Sequence, residues 1–142
     1  MKSVDFDLRK ITSNLLLIAV SLLFSFSNTQ AADAGVEEAG KGRFMDYCAV
    51  CHGADGKGGG PFATMLKKQP TDLTILSANN DGTFPFDRVF ETIDGRGNVG
   101  GAHGSAEMPI WGADWEGTSV AAQTALRGRI LEMIIYLRSI QQ

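Results

Sequence analysis

Both cysteines of the chain lie in one short segment, Cys48-Ala49-Val50-Cys51-His52, which also contains one of its two histidines. At the end of a helix, this spacing places both sulfurs on one side, one turn apart, where each can add to a vinyl group of a haem. The adjacent His52 can then offer an imidazole nitrogen to the iron. Because this is the attachment motif of c-type haem, we predict one haem c, covalent through Cys48 and Cys51, with His52 as an axial ligand.

Three other roles of closely spaced cysteines compete with haem attachment. A thioredoxin-like dithiol usually opens a helix after a strand, whereas this motif follows a helical pattern and runs into glycines. The remaining alternatives are a short-range structural disulfide and half of a zinc site, which would need further ligands, of which only His103 is strong. Haem attachment is favoured because an export signal accompanies the motif, and haem is attached outside the cytoplasm.

The second axial ligand of the iron must come from elsewhere in the chain. Met108 is favoured because it lies in a loop far from His52 in sequence, and Pro109 stiffens that loop. His103 remains the alternative ligand, and its simpler role is that of a solvated or hydrogen-bonded loop histidine. The other methionines are either too close to the motif or suited to packing: Met45, Met65 and Met133.

Residues 1–32 have the composition of a secretory signal peptide. Basic residues precede an apolar core of about 12 residues, and small residues ending at Ala32 follow it. The core is shorter than the roughly 20 residues that a membrane-spanning helix needs, although an uncleaved anchor is the alternative. We therefore expect residues 1–32 to be cleaved and residues 33–142 to form one periplasmic domain without a membrane span.

Length and charge exclude several classes of function for this domain. The whole chain has 142 residues, two cysteines and a formal net charge of −3. It is too short for a two-domain enzyme with a separate cofactor lobe, and its charge excludes a strongly basic nucleic-acid binder. Two cysteines are also too few for a disulfide-stapled scaffold.

Apolar periodicity predicts an all-α fold with much loop. The two longest helices are expected near the ends of the mature domain, over residues 35–47 and 119–140. The last helix carries an apolar stripe formed by Leu126, Ile130, Met133, Ile134 and Leu137. Short helices are expected between them, at 61–68, 71–78 and 86–93. Glycine-rich loops are expected at 53–61 and 94–105. Since the middle of the domain has few apolar stripes, we expect the haem to fill its centre.

The ordered set of motifs resembles a class I monohaem cytochrome c of bacterial periplasmic type. Besides the haem motif, the matching segments are 40–53, 55–58, Pro61, 70–73, 95–96, 108–112 and Tyr136-Leu137. The resemblance covers nearly all of residues 33–142. It implies a cytochrome c-like fold, in which short helices and loops wrap around one covalent haem.

The resemblance also implies roles for single residues. His52 and Met108 would be the axial ligands, and the carbonyl of Pro61 would accept the free ring N–H of His52. Trp111 or Arg96 would bond a haem propionate, with a packing aromatic and a solvated cation as their simpler roles.

A helix crossing follows from the same resemblance. Gly40 and Phe44 would meet Met133 and Tyr136 where the first and last helices cross, and Gly40 would allow a close approach.

A His/Met ligand pair favours electron transfer over enzymatic chemistry. Two protein ligands fill both axial sites of the iron, and the soft thioether raises the reduction potential. We therefore expect a one-electron carrier that is not an enzyme, a monomer, with transient redox partners as electron donor and acceptor. The alternatives are a haem c relay subunit of a larger oxidoreductase or respiratory complex, and a haem sensor with an open iron site. Three lysines could form a docking patch or a solvated face: Lys57, Lys67 and Lys68.

Overall fold

The fold was analysed in a computed structural model of the chain, which describes residues 33–97, 108–115, 117 and 119–142. The expected signal peptide, residues 1–32, lies outside the described residues, as does His103 with most of its glycine-rich loop. The chain divides into two compact units, Met1–Gly35 and Val36–Gln142. Of the first unit the structure describes residues 33–35, which are helical, and the site described below lies in the second.

Five α-helices occupy the described residues. In chain order they are α1 (33–47), α2 (Ala49–His52), α3 (Phe86–Asp94), α4 (Trp111–Asp114) and α5 (Val120–Ser139). Three short 3₁₀ helices lie between α2 and α3, at Ala63–Met65, Leu73–Ile75 and Ala78–Asn80. The described part of the chain contains no strand, which confirms the predicted all-α fold. None of its helices is both long enough and apolar enough to cross a membrane.

Helix α5 forms the centre of the core. It begins after Ser119, whose hydroxyl oxygen accepts a hydrogen bond from the backbone N–H of Ala122 at 3.1 Å, a typical N-cap. All members of the predicted apolar stripe are buried: Leu126, Ile130, Met133, Ile134 and Leu137. The stripe and the extent of the last helix are thus confirmed to within one residue at each end.

Helices α1 and α5 cross in close contact. A Cβ atom on Gly40 would overlap the carbonyl oxygen of Glu132, so only glycine fits this position without a shift. One turn further on, Phe44 is buried, and its ring centroid lies 5.3 Å from that of Tyr136. Arg43 Nε donates to Glu132 Oε2 beside the crossing. The predicted close approach at Gly40 and the contact of Phe44 with Tyr136 are confirmed.

The segment between α2 and α3 is less helical than predicted. Residues 61–68 and 71–78 contain short 3₁₀ turns in place of longer helices, and a side chain caps the turn that begins at Leu73. Asp72 Oδ1 accepts from Thr74 N at 2.8 Å and from Thr74 Oγ1 at 2.6 Å. Helix α3, by contrast, extends one residue beyond the predicted range of 86–93.

The C-terminal residues fasten this segment to α5. Gln141 Nε2 donates to Leu73 O at 2.8 Å and to Leu137 O at 2.7 Å, and its Oε1 accepts from Ser77 N at 2.9 Å. The backbone N–H of Gln142 donates to Thr74 O at 2.9 Å. One side chain therefore joins the 3₁₀ turns to the end of the longest helix.

Candidate haem site

A short turn presents the cysteines and the histidine of the motif together. Helix α1 ends before Cys48, and α2 follows at once, with His52 N donating to Cys48 O at 2.9 Å. Gly53 ends the turn with a φ of +80°, a conformation that favours glycine. Cys48 and Cys51 are free cysteines, and both are partly buried.

Two cavities adjoin this turn. The larger has a volume of about 250 Å³ and the smaller about 70 Å³. Because Cys48, His52, Thr71 and Met108 line both cavities, we treat them as two parts of one crevice. Most of the wall of the larger part is apolar and comes from α1, α3, α5 and the 3₁₀ turns: Phe44, Leu73, Leu76, Val89, Ile93, Met133 and Leu137.

The ring of His52 is oriented by a backbone carbonyl. Its Nδ1 lies 3.0 Å from Thr71 O, and this bond requires the tautomer with a proton on Nδ1. Burial lowers the pKa of His52, and the bond to Thr71 opposes that shift in part. The neutral ring therefore keeps the lone pair of Nε2 available for a metal ion, which is how a ligating histidine is commonly prepared.

The acceptor of the His52 N–H differs from the predicted one. We expected the carbonyl of Pro61, whereas the structure gives this role to Thr71. The backbone on either side of Pro61 is bonded to α2, through Gly60 N to Cys51 O at 3.0 Å and Phe62 N to Val50 O at 2.8 Å. Pro61 itself is exposed and lines neither part of the crevice.

Met108 is half-buried and shares both parts of the crevice with His52. Of the other methionines, Met45 and Met65 are exposed by 45% and 71%, and neither lines the crevice. Met133 lines the larger part, but it is fully buried in the core on α5. The alternative ligand His103 lies outside the described residues. The structure thus brings the favoured methionine together with Cys48, Cys51 and His52.

The thiol of Cys48 is held in its neutral form. Burial, and then the charge of the neighbouring Cys51, raise the pKa of Cys48 to about 12. A reactive dithiol needs a thiolate, so this environment disfavours it. Within the described residues, no group of three or more His, Cys, Asp or Glu side chains is placed to hold a metal ion.

Of the two residues expected at a propionate, only Trp111 lines the crevice. Its ring centroid lies 4.8 Å from that of Trp115 and 5.5 Å from that of Tyr47, which also lines the smaller part. Trp111 is thus at once a packing aromatic and a wall of the site.

Arg96 has a different position from the one expected. It lines neither part of the crevice, and its guanidinium donates to Asp94 Oδ1 at 2.7 Å and to Gln123 Oε1 at 2.8 Å. The carboxylate of Asp94 at the end of α3 binds this guanidinium, so Arg96 joins α3 to α5.

The sequence reasoning missed the residues at the polar end of the larger part. Arg88 and Thr92 line it from α3, and Asn79 lines it from a 3₁₀ turn. Arg88 and Thr92 are four residues apart and each precedes a buried residue of the same helix, Val89 and Ile93. In the sequence, the signal was two polar residues four positions apart in the helical pattern that follows Pro85, since such residues lie on one face of a helix.

The residues of the crevice fit a covalent haem. The wall is mostly apolar, two thiols lie on one turn, and the ring Nδ1–H of His52 donates to Thr71 O. Cys48 and Cys51 would supply the attachment points, and His52 and Met108 would offer one neutral nitrogen and one thioether, the ligand types of a low-spin haem iron.

A comparison with protein families agrees with this geometry. The family model described as cytochrome c matches residues 37–110, slightly more than half of the chain. The matched range includes the cysteine–histidine turn and Met108. No curated protein and no solved structure gave a significant match.

Proposed function

The chain belongs to the cytochrome c family, and from this premise we propose that it is a one-electron carrier whose covalent haem c is ligated by His52 and Met108. The single observation that carries the proposal is that His52 and Met108 line both parts of one crevice beside Cys48 and Cys51. When bound, the haem supplies a reversible ferric–ferrous couple.

In this proposal, the residues of the chain orient the two axial ligands and exclude water from the haem crevice. Thr71 holds the His52 ring in one tautomer, and Pro109 stiffens the backbone after Met108. Apolar side chains from α1, α3 and α5 surround the larger part of the crevice. Because two side chains would fill both axial positions, no site remains for a substrate, and we propose a carrier without enzymatic activity of its own.

The redox partners would meet the smaller part of the crevice. Cys51 and the exposed Lys68 both line it. Lys57 and Lys67 are exposed as well, so the three lysines together support a local basic patch in an acidic chain. Redox encounters commonly use small, transient interfaces, so we propose short-lived complexes with separate donor and acceptor proteins and a monomeric carrier.

Export to the periplasm completes the proposal. Residues 1–32 resemble a signal peptide in composition, and covalent haem attachment takes place outside the cytoplasm. We therefore place the mature chain in a bacterial periplasmic redox chain, as a class I monohaem type.

The most direct test examines the protein purified after export. We expect a covalent-haem stain on a denaturing gel, together with a reduced-minus-oxidised spectrum of a low-spin, six-coordinate haem. A chain carrying Cys48→Ala and Cys51→Ala is the control, and it should lose the stain. Absence of covalent haem from the parent chain would refute the proposed function.

Two further measurements separate the alternative functions. Rapid binding of carbon monoxide to the reduced native protein would indicate an open iron site, and hence a haem sensor. Co-purification with a catalytic subunit would indicate a relay subunit of a larger oxidoreductase. Isolation as a free monomer that does not bind carbon monoxide supports the soluble carrier.

A further inference from the structure

One face of α3 lines the larger cavity. The residues that line it are spaced by three or four positions along the chain: Pro85, Arg88, Val89, Thr92 and Ile93. Val89 and Ile93 are buried, whereas Arg88 is exposed and Thr92 is half-buried. Asn79 lines the same cavity from the 3₁₀ helix Ala78–Asn80. A guanidinium, a hydroxyl and an amide therefore stand at the rim of an otherwise apolar cavity.

Arg88 differs from the other arginines that pack between helices. Arg43 is paired with Glu132, and Arg96 is paired with Asp94. Among the described residues, no carboxylate or carbonyl oxygen accepts a hydrogen bond from the Arg88 side chain. Arg88 lies at the edge of an apolar cavity, in a chain with more acidic than basic residues. Its guanidinium can therefore donate hydrogen bonds to a group that the described residues do not supply. The planar donor fork matches a carboxylate, which it binds through two parallel bonds.

We propose that Arg88, with Asn79 and Thr92, forms a carboxylate subsite that receives the haem propionates. This inference rests on the proposed haem function. It also replaces the role expected of Arg96, whose guanidinium is already engaged by Asp94. The guanidinium compensates the negative charge of a carboxylate beside the apolar wall, while the Asn79 amide and the Thr92 hydroxyl are further donors.

The test uses the holoprotein with three single variants. Arg88→Gln removes the charge, Arg88→Lys keeps the charge but loses the planar fork, and Arg138→Gln is the control. Arg138 is exposed on the last turn of α5 and lines neither part of the crevice. In R88Q an uncompensated carboxylate favours ferric iron, so the ferrous-to-ferric ratio at a fixed ambient potential should fall severalfold. R88K should retain most of the wild-type ratio, and R138Q all of it.

A second measurement reports on the carboxylates themselves. Redox-induced infrared difference spectra contain the propionate stretching bands, which should shift in R88Q and R88K and stay in place in R138Q. If R88Q does not accumulate as folded holoprotein, the propionate bands of R88K alone test whether Arg88 contacts the propionates. Bands unshifted in R88K, or a ratio in R88Q equal to that in R138Q, would overturn the subsite. Failure of the haem function itself is distinguishable, because the wild-type chain would then lack the covalent-haem stain.

Discussion

At the scale of single residues, the site depends on which polar atoms are already engaged. The ring of His52 uses Nδ1 on Thr71, which leaves Nε2 for iron, while the thioether of Met108 has no competing donor to satisfy. Among the described residues, no hydrogen bond engages Nε2 of His52 or the sulfur of Met108, so both atoms are available as ligands. The exposed Met65 has the same chemistry but lies outside the crevice.

Substitution of Met108 tests its role as a ligand. In Met108→Ala the second axial position opens, so reduced protein should bind carbon monoxide, and the reduction potential should fall because the soft thioether is lost. Carbon monoxide titration and redox potentiometry measure the two effects. Met65→Ala is the matched control and should behave as wild type. If M108A kept the spectrum and potential of wild type, the ligand would have to be another residue.

Asp72, which lies between the lining residues Thr71 and Leu73, makes the stability of the fold depend on pH. Hydrogen bonds from the Thr74 side chain and then its backbone N–H lower the pKa of Asp72. A carboxylate with a lowered pKa stabilises the fold above its unfolded pKa, and this contribution is lost as the pH falls below about 4. The difference in Tm between the parent holoprotein and Asp72→Asn should therefore shrink in that range.

Thermal melts of the holoprotein from about pH 7 to about pH 3 measure this effect. Asp46→Asn, at an exposed position on α1, controls for the loss of a surface charge. A gap between parent and D72N that stayed constant over the whole range would contradict the role of Asp72.

At the scale of elements, the crossing of α1 and α5 positions the cysteines beside the core. Gly40→Ala places a methyl group against the carbonyl of Glu132 and should destabilise the holoprotein by about 1–3 kcal/mol, the usual cost of overpacking. Gly42→Ala is the control on the same helix, since a Cβ there meets no atom within 4 Å. It should be neutral or stabilise by up to about 1 kcal/mol. Denaturant titration measures both, and equal effects would contradict the close crossing.

Gln141 holds the 3₁₀ turn that begins at Leu73 and the backbone at Ser77. Gln141→Ala removes bonds to three backbone groups and should lower the free energy of unfolding by about 1–3 kcal/mol. Gln142→Ala is the control, because Gln142 bonds Thr74 O through its backbone N–H, which alanine retains. Denaturant unfolding of the two holoproteins should show the loss in Q141A alone. A similar loss in Q142A would mean that the whole C-terminus, and not this side chain, holds the turns.

At the scale of the whole molecule, we expect the fold to depend on its cofactor. A cavity of about 250 Å³ lies beside the buried stripe of α5, and most of its wall is apolar. Without haem these apolar side chains would be exposed to water, in a small domain whose total stability is only about 5–15 kcal/mol. The chain without haem should therefore be largely unfolded. Circular dichroism and calorimetry on the C48A/C51A chain, with the holoprotein as control, measure this. A cooperative, native-like melt of the haem-free chain would contradict it.

The sequence by itself determined the chemistry of the site and its longest elements. The spacing of Cys48, Cys51 and His52 is a local property of one turn, and the stripe of α5 follows from helical periodicity. The crossing at Gly40 was expected from the resemblance to the cytochrome c family. For the motif and the stripe, the physical cause acts within a few residues of the chain.

Only the tertiary structure decided which groups complete the site. Gln141 holds Ser77 and Leu73 from 64 and 68 residues away, and such bonds set the shape of turns that are too short to specify themselves. The same holds for the choice of Thr71 over Pro61 as the acceptor for His52, and for the position of Arg88, which lines the crevice while Arg96 does not. The sequence does not distinguish one backbone carbonyl from another, or one arginine from another. Its role depends on its distance from a partner and on which neighbour engages it first, and folding alone determines both.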